Sequence, residues 1–112
     1  MTIEECVKLL GVDFRLDMDS YKRKLMANFY RLILCRDAYW KIAGEEMGLD
    51  KLWEPDWCNE DKLKYCIECS YGTIDKTVES VWNCILSFPT EEMRDVFYEN
   101  FKDLIEQCKK LL

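Results

Sequence analysis

Seven cysteines and no histidine set the chemical limits of this chain. Without imidazole, a serine or cysteine nucleophile lacks its usual base, and a metal site loses its commonest ligand. The closest thiol spacing is Cys66-Ile67-Glu68-Cys69, a CxxC. A redox CxxC places its first sulfur at a helix N-terminus, where the thiolate is favoured. This pair lies instead in an alternating, strand-like run, and residues three apart on a strand point to opposite faces. Zinc would need two more ligands, and only the isolated Cys58 and Cys84 lie near in sequence, without a second close pair. Carboxylates are plentiful, but they fall on polar helix faces, and spacing alone supports no glycosidase-like pair. The four glycines are scattered and form no phosphate-cradling loop. The expectation is a chain with no catalytic residue, no metal and no cofactor, and therefore not an enzyme.

The odd thiol count fits free cysteines in a reducing cytosol better than a secreted disulfide framework. Buried cysteine then acts as a small hydrophobe. No apolar run reaches the length of a membrane span, and the N-terminus lacks the pattern of a signal peptide. With 112 residues, about half of them apolar and a third charged, one soluble domain spanning 1–112 is expected.

The net charge of −6 argues against a general affinity for phosphate backbones. The charge is uneven. Between Ser20 and Ala43, six basic residues (Lys22, Arg23, Lys24, Arg31, Arg36 and Lys41) face only Asp37, giving that segment +5 and the remainder −11. Either the basic helix complements acidic elements packed around it, or Arg23, Lys24, Arg31 and Lys41 form a strip for an acidic partner or nucleic acid. Arg36 falls inside the apolar stripe, where a guanidinium must be paired or must reach water; a carboxylate from a neighbouring element is the expected partner, with a ligand anion as the alternative. Trp53 and Trp57, close together around Pro55, either plug the core or form an aromatic contact site for a protein.

The elements that position these residues follow from periodicity. Thr2 and Glu5 form a capping-box pattern ahead of a short helix, with Gly11 at its left-handed end. Val12 to Met18 reads as a linker with Phe14, Leu16 and Met18 tucked inward, and Asp19 as the cap of a long helix over Ser20–Met47. Leu25, Phe29, Leu32, Tyr39, Trp40, Ala43 and Met47 make its main stripe, while Ala27, Leu34, Ala38 and Ile42 lie opposite, as in a helix sandwiched within its domain or against a partner. Gly44 weakens the last turn and Gly48 ends it. From Lys64 the period is two: one strand to Tyr71, a turn at Gly72, a polar strand over Thr73–Ser80, and a third over Trp82–Phe88. After Pro89, Thr90 caps a final amphipathic helix with Met93, Phe97, Phe101, Leu104, Cys108 and Leu111 on one side.

Four pieces of the C-terminal half occur in a familiar order. They are Trp53-Glu54-Pro55-Asp56-Trp57, Lys64-Tyr65, the run Ile85 to Asp95, and the run Phe97 to Ile105. In these the chain resembles a group of small, functionally uncharacterised proteins carried by bacteriophages and mobile elements of gut bacteria. The resemblance implies a phage or mobile-element origin and a bacterial cytoplasm, with no catalytic residues to transfer.

The expected fold is α+β: a short helix, a long central helix, a three-stranded antiparallel meander, and a C-terminal helix on the sheet. The expected function is a non-enzymatic protein-binding module, a phage-encoded accessory protein that modulates or inhibits a host protein. The alternatives are a homo-oligomeric phage component joined through the second apolar side of the long helix, and a nucleic-acid binder using the basic strip.

Overall fold

Thr2 starts the first helix, α1 (Ile3–Leu10): its hydroxyl accepts from the Glu5 amide at 3.1 Å while the Glu5 carboxylate accepts from the Thr2 amide at 3.3 Å. Gly11, at φ 70°, ends it in the left-handed conformation that favours glycine. The computed structural model describes residues 1–11, 21–80 and 83–112, with the side chains of Tyr21 and Lys22 also left undescribed. The expected linker, the Asp19 cap and Trp82 lie outside the described residues.

The long helix is α2 (Tyr21–Glu46). Much of both apolar sides is covered within the chain, while Met26 and Tyr30 are exposed. Leu32, Tyr39, Trp40 and Ala43 are buried on the main stripe, and so are Ala27, Leu34 and Ala38 opposite, with α1 and α3 (Glu91–Gln107) packed against the helix. Leu25, Phe29 and Ile42 are half-buried, and Met47, which the periodicity places on the stripe, is half exposed just past the helix end.

The sheet comprises β1 (Lys64–Ser70), β2 (Thr73–Glu79) and β3 (Leu86–Phe88). β1 and β2 form a two-residue hairpin in which Tyr71 and Gly72 take φ 52° and 78°, the positive values of the twist-matched turn. The α+β class and antiparallel pairing agree with the sequence, but the connectivity is not a meander. The order is β2-β1-β3, with Tyr65 opposite Phe88 and Ile67 opposite Leu86. The reason lies in burial. All three β3 residues are buried, so β3 belongs beside the buried strand β1 and not beyond the exposed, polar β2. The third strand is also shorter than alternation suggests, beginning at Leu86.

Alternation gives the sheet two faces. Ile67, Leu86 and Phe88 belong to the one that meets α3, where Phe88, Phe97, Phe101 and Tyr39 form a chain of aromatic contacts with centroids 4.8 to 6.5 Å apart. α3 is capped by the Thr90 hydroxyl, which accepts from the Met93 amide at 3.2 Å, and carries Glu91 and Glu92 in its first turn. Arg94 is buried beneath it. Its guanidinium donates to the Thr77 carbonyl at 3.0 Å and to Asp95 at 3.1 Å. Asn100 ties α3 to α2 by donating to the Tyr39 hydroxyl at 2.7 Å.

Candidate functional site

Two glycines shape the C-terminal end of α2. Gly48 takes φ 73°, and the amides of Gly48 and Leu49 turn back to the carbonyls of Glu45 and Gly44 at 3.1 and 2.8 Å, a Schellman closure. The chain then returns across the helix it has just left, and it crosses at Gly44. A β-carbon on Gly44 would collide with the Lys51 carbonyl oxygen and stand 3.1 Å from the Trp53 nitrogen. Glycine is there for the close approach, which periodicity alone reads as a weakened turn.

That crossing fixes Trp53. Its amide donates to the Trp40 carbonyl at 3.0 Å, and the two indoles meet edge to face at 5.6 Å. Trp40 is itself held, its indole N–H donating to the Ser87 carbonyl at 2.7 Å and its ring lying 4.0 Å beneath the Arg36 guanidinium. Arg36 pairs with Asp37, the next residue of its own helix, at 2.8 Å, and donates to the Ile85 carbonyl at 3.0 Å. The expected carboxylate from another element is thus replaced by a backbone oxygen and an aromatic face.

Beside Trp53 opens a groove of about 720 Å³ between the end of α2, the returning loop, residues 62–64 and Pro89. Met47, Leu49 and Leu63 line it and are 50, 42 and 53% exposed, around the half-buried Leu52 and Trp53. Of these, only Trp53 is identifiable from sequence as a contact residue. Leu49 and Leu63 come together because the loop folds back over Gly44, and no local pattern records that.

Trp57 lies apart from the residues that line the groove. It is half-buried, with the Lys64 ammonium 5.1 Å from its ring centroid. Lys64 is 1% exposed, and its ammonium donates to the carbonyls of Asn59 and Ser80 at 2.9 Å each. The basic residues of α2 differ in their surroundings. Arg23 and Lys24 are exposed on the early turns, whereas Arg31 is half-buried and donates to the Asn28 side chain at 3.1 Å. Lys41 donates to the Leu9 carbonyl at 2.9 Å, closing the C-terminal end of α1.

The thiols pair across elements. Cys6 of α1 hydrogen-bonds with Cys35 of α2, and that contact, with burial, pushes the Cys35 thiol up. Cys84 hydrogen-bonds with Cys66 and donates to the Glu68 carboxylate at 2.8 Å; the Cys66 contact and burial, then Glu68, push the Cys84 thiol up as well. Raised thiols stay protonated at neutral pH, which opposes nucleophilic use. Cys66 and Cys69 differ in burial, as opposite faces of β1 require. Among the described residues, no three Cys, Asp or Glu side chains converge where a metal ion could be held.

No protein family, curated protein or solved structure matches this chain. Among the described residues, no helix is long and apolar enough to cross a membrane.

Proposed function

We propose that the protein is a non-enzymatic protein-binding module whose docking surface is the groove beside Trp53. The observation that carries this reading is the joint exposure of Met47, Leu49 and Leu63 around a rigidly held indole. Apolar side chains grouped on a surface mark contact sites, and tryptophan is enriched among residues that dominate binding. Covering the exposed half of each aliphatic side chain would contribute about 1 kcal/mol apiece.

The resemblance of the C-terminal half to small phage and mobile-element proteins supplies the proposed setting, an accessory protein acting on a host protein in the bacterial cytoplasm. Self-association through the second side of α2 has less support, since Ala27, Leu34 and Ala38 are covered by the chain itself. The test is capture from bacterial lysate with the native chain and with a Leu49→Asn/Leu63→Asn variant. A protein held by the native chain and lost with the variant supports the reading. Equal capture by both, or none by a folded native chain, contradicts it.

A further inference from the structure

We infer that Cys66 and Cys84 are a redox pair, which a small disulfide oxidant closes into a bond stapling the β2–β3 connection to β1. Neither residue lines the docking groove, and the pair is independent of that reading. The path of the chain brings the two together. β2 and β3 flank β1 and both run antiparallel to it, so they are parallel to each other. β2 ends at Glu79, opposite Lys64, whereas β3 starts at Leu86, opposite Ile67. The connection must therefore run back along β1 and cross it before β3 can begin. One face of β1 carries Cys66 and Glu68, which alternation points away from Ile67 and α3. Cys84 belongs to the connection, and its sulfur touches Cys66 and lies 2.8 Å from the Glu68 carboxylate. The crossing thus passes over that face, with Cys84 against Cys66.

The two thiols differ in the way a switch needs. Cys66 is fully buried on the central strand, paired on both sides, and its thiol donates to the Lys64 carbonyl at 3.7 Å. Cys84 lies in no helix or strand and is half-buried, so an oxidant reaches its sulfur first. Cys6 and Cys35 also touch, but both are fully buried and lack that access. Cys69 shares β1 but points to its other face. β3 has only three residues, a short fastening for the strand whose Ser87 carbonyl holds the Trp40 indole. A bond at Cys84, just ahead of Leu86, fixes its approach to β1.

Glu68 is the local proton acceptor. Burial opposes its ionised form, but hydrogen bonds with Cys84, Thr77 and Glu79 outweigh burial and hold its carboxyl below the usual value. Cys84 passes its proton to Glu68, and its sulfur attacks one sulfur of the oxidant. A mixed disulfide forms as the first small thiolate leaves, taking that proton from Glu68. The Cys66 sulfur then attacks Cys84 Sγ, and the second small thiolate departs with the Cys66 proton. Two protein thiols become one disulfide, and the oxidant is reduced to two small thiols. Because Cys66, burial and Glu68 keep the Cys84 thiol protonated, closure is slow.

The experiment incubates the full native chain with oxidised glutathione and maps its peptides without reduction. The expected product links Cys66 to Cys84 with the loss of two hydrogens, and dithiothreitol reverses it. Its thermal midpoint rises by about 5–15 °C, because the crosslink restricts the unfolded chain. A Cys58→Ser/Cys69→Ser variant closes in the same way. Cys84→Ser, which keeps a donor for Glu68, gains neither the link nor the rise. Glutathione left on Cys58 with Cys66 and Cys84 free, or a link from Cys84 to another cysteine, overturns the inference. So does a bond between Cys66 and Cys84 that leaves the midpoint unchanged.

Discussion

The carbonyl oxygen of Lys51 lies where a β-carbon on Gly44 would have to be. This one approach joins the long helix to the loop that carries Trp53, and the groove exists because of it. Glycine to alanine inside a helix ordinarily stabilises by about 1 kcal/mol. Here the obstacle is backbone, which cannot swing aside, so Gly44→Ala is expected to destabilise by about 1–3 kcal/mol. Urea unfolding measures this, and a stability gain would show that the loop does not cross there.

Tyr71 sits at φ 52° at the fully exposed tip of the β1–β2 hairpin. A tyrosine in the left-handed region costs about 1 kcal/mol or more, and asparagine tolerates it far better. Tyr71→Asn, giving the preferred Asn-Gly turn, is expected to stabilise by about 0.5–1 kcal/mol in thermal or urea unfolding. A loss of stability would mean that the ring makes a contact that outweighs the strain.

The ammonium of Lys64 is buried between two carbonyls and the Trp57 ring. Lys64→Met keeps the stem but leaves both carbonyls without their donor. A loss of about 2–3 kcal/mol is expected, with a shift in tryptophan emission as Trp57 loosens. Unchanged stability would place the ammonium in water.

Alkaline pH tests the core. Burial pushes the Cys108 thiol from 9.0 up to about 11. Because the folded value is the higher one, the unfolded chain releases this proton first as pH rises. The stabilisation is therefore complete below pH 9 and is lost between about 9 and 11, at most about 2–3 kcal/mol from this group. Cys84, raised by its contact with Cys66, by burial and by Glu68, adds to the same limb. Cys108→Ala should flatten the decline, read from urea midpoints at pH 8, 9 and 10. An unchanged slope would show that Cys108 ionises freely in the folded chain.

The parts of this fold legible in the sequence are those with local causes. Thr2 with Glu5, Gly11, Thr90 and Gly48 mark helix ends through their own hydrogen-bonding or backbone chemistry, and α1, α2 and α3 follow. Gly72 marks the hairpin for the same reason. What depends on distant partners was not legible. The place of β3 beside β1, the Arg36 contact with Trp40 and the pairing of Cys6 with Cys35 each need the folded chain. Of the groove, Trp53 stood out by residue type, whereas Leu49 and Leu63 look like ordinary loop residues. One signal was available: Gly44, a glycine inside a helix with no turn to make.

Hydrogen exchange on the captured complex tests the docking surface most directly, comparing the free chain with the chain bound to its partner. The expected result is new protection over residues 47–63, with the outer side of α3 and the early turns of α2 unchanged. Protection confined to the region of Arg23 and Lys24, or to α3, with residues 47–63 exchanging as before, would contradict it.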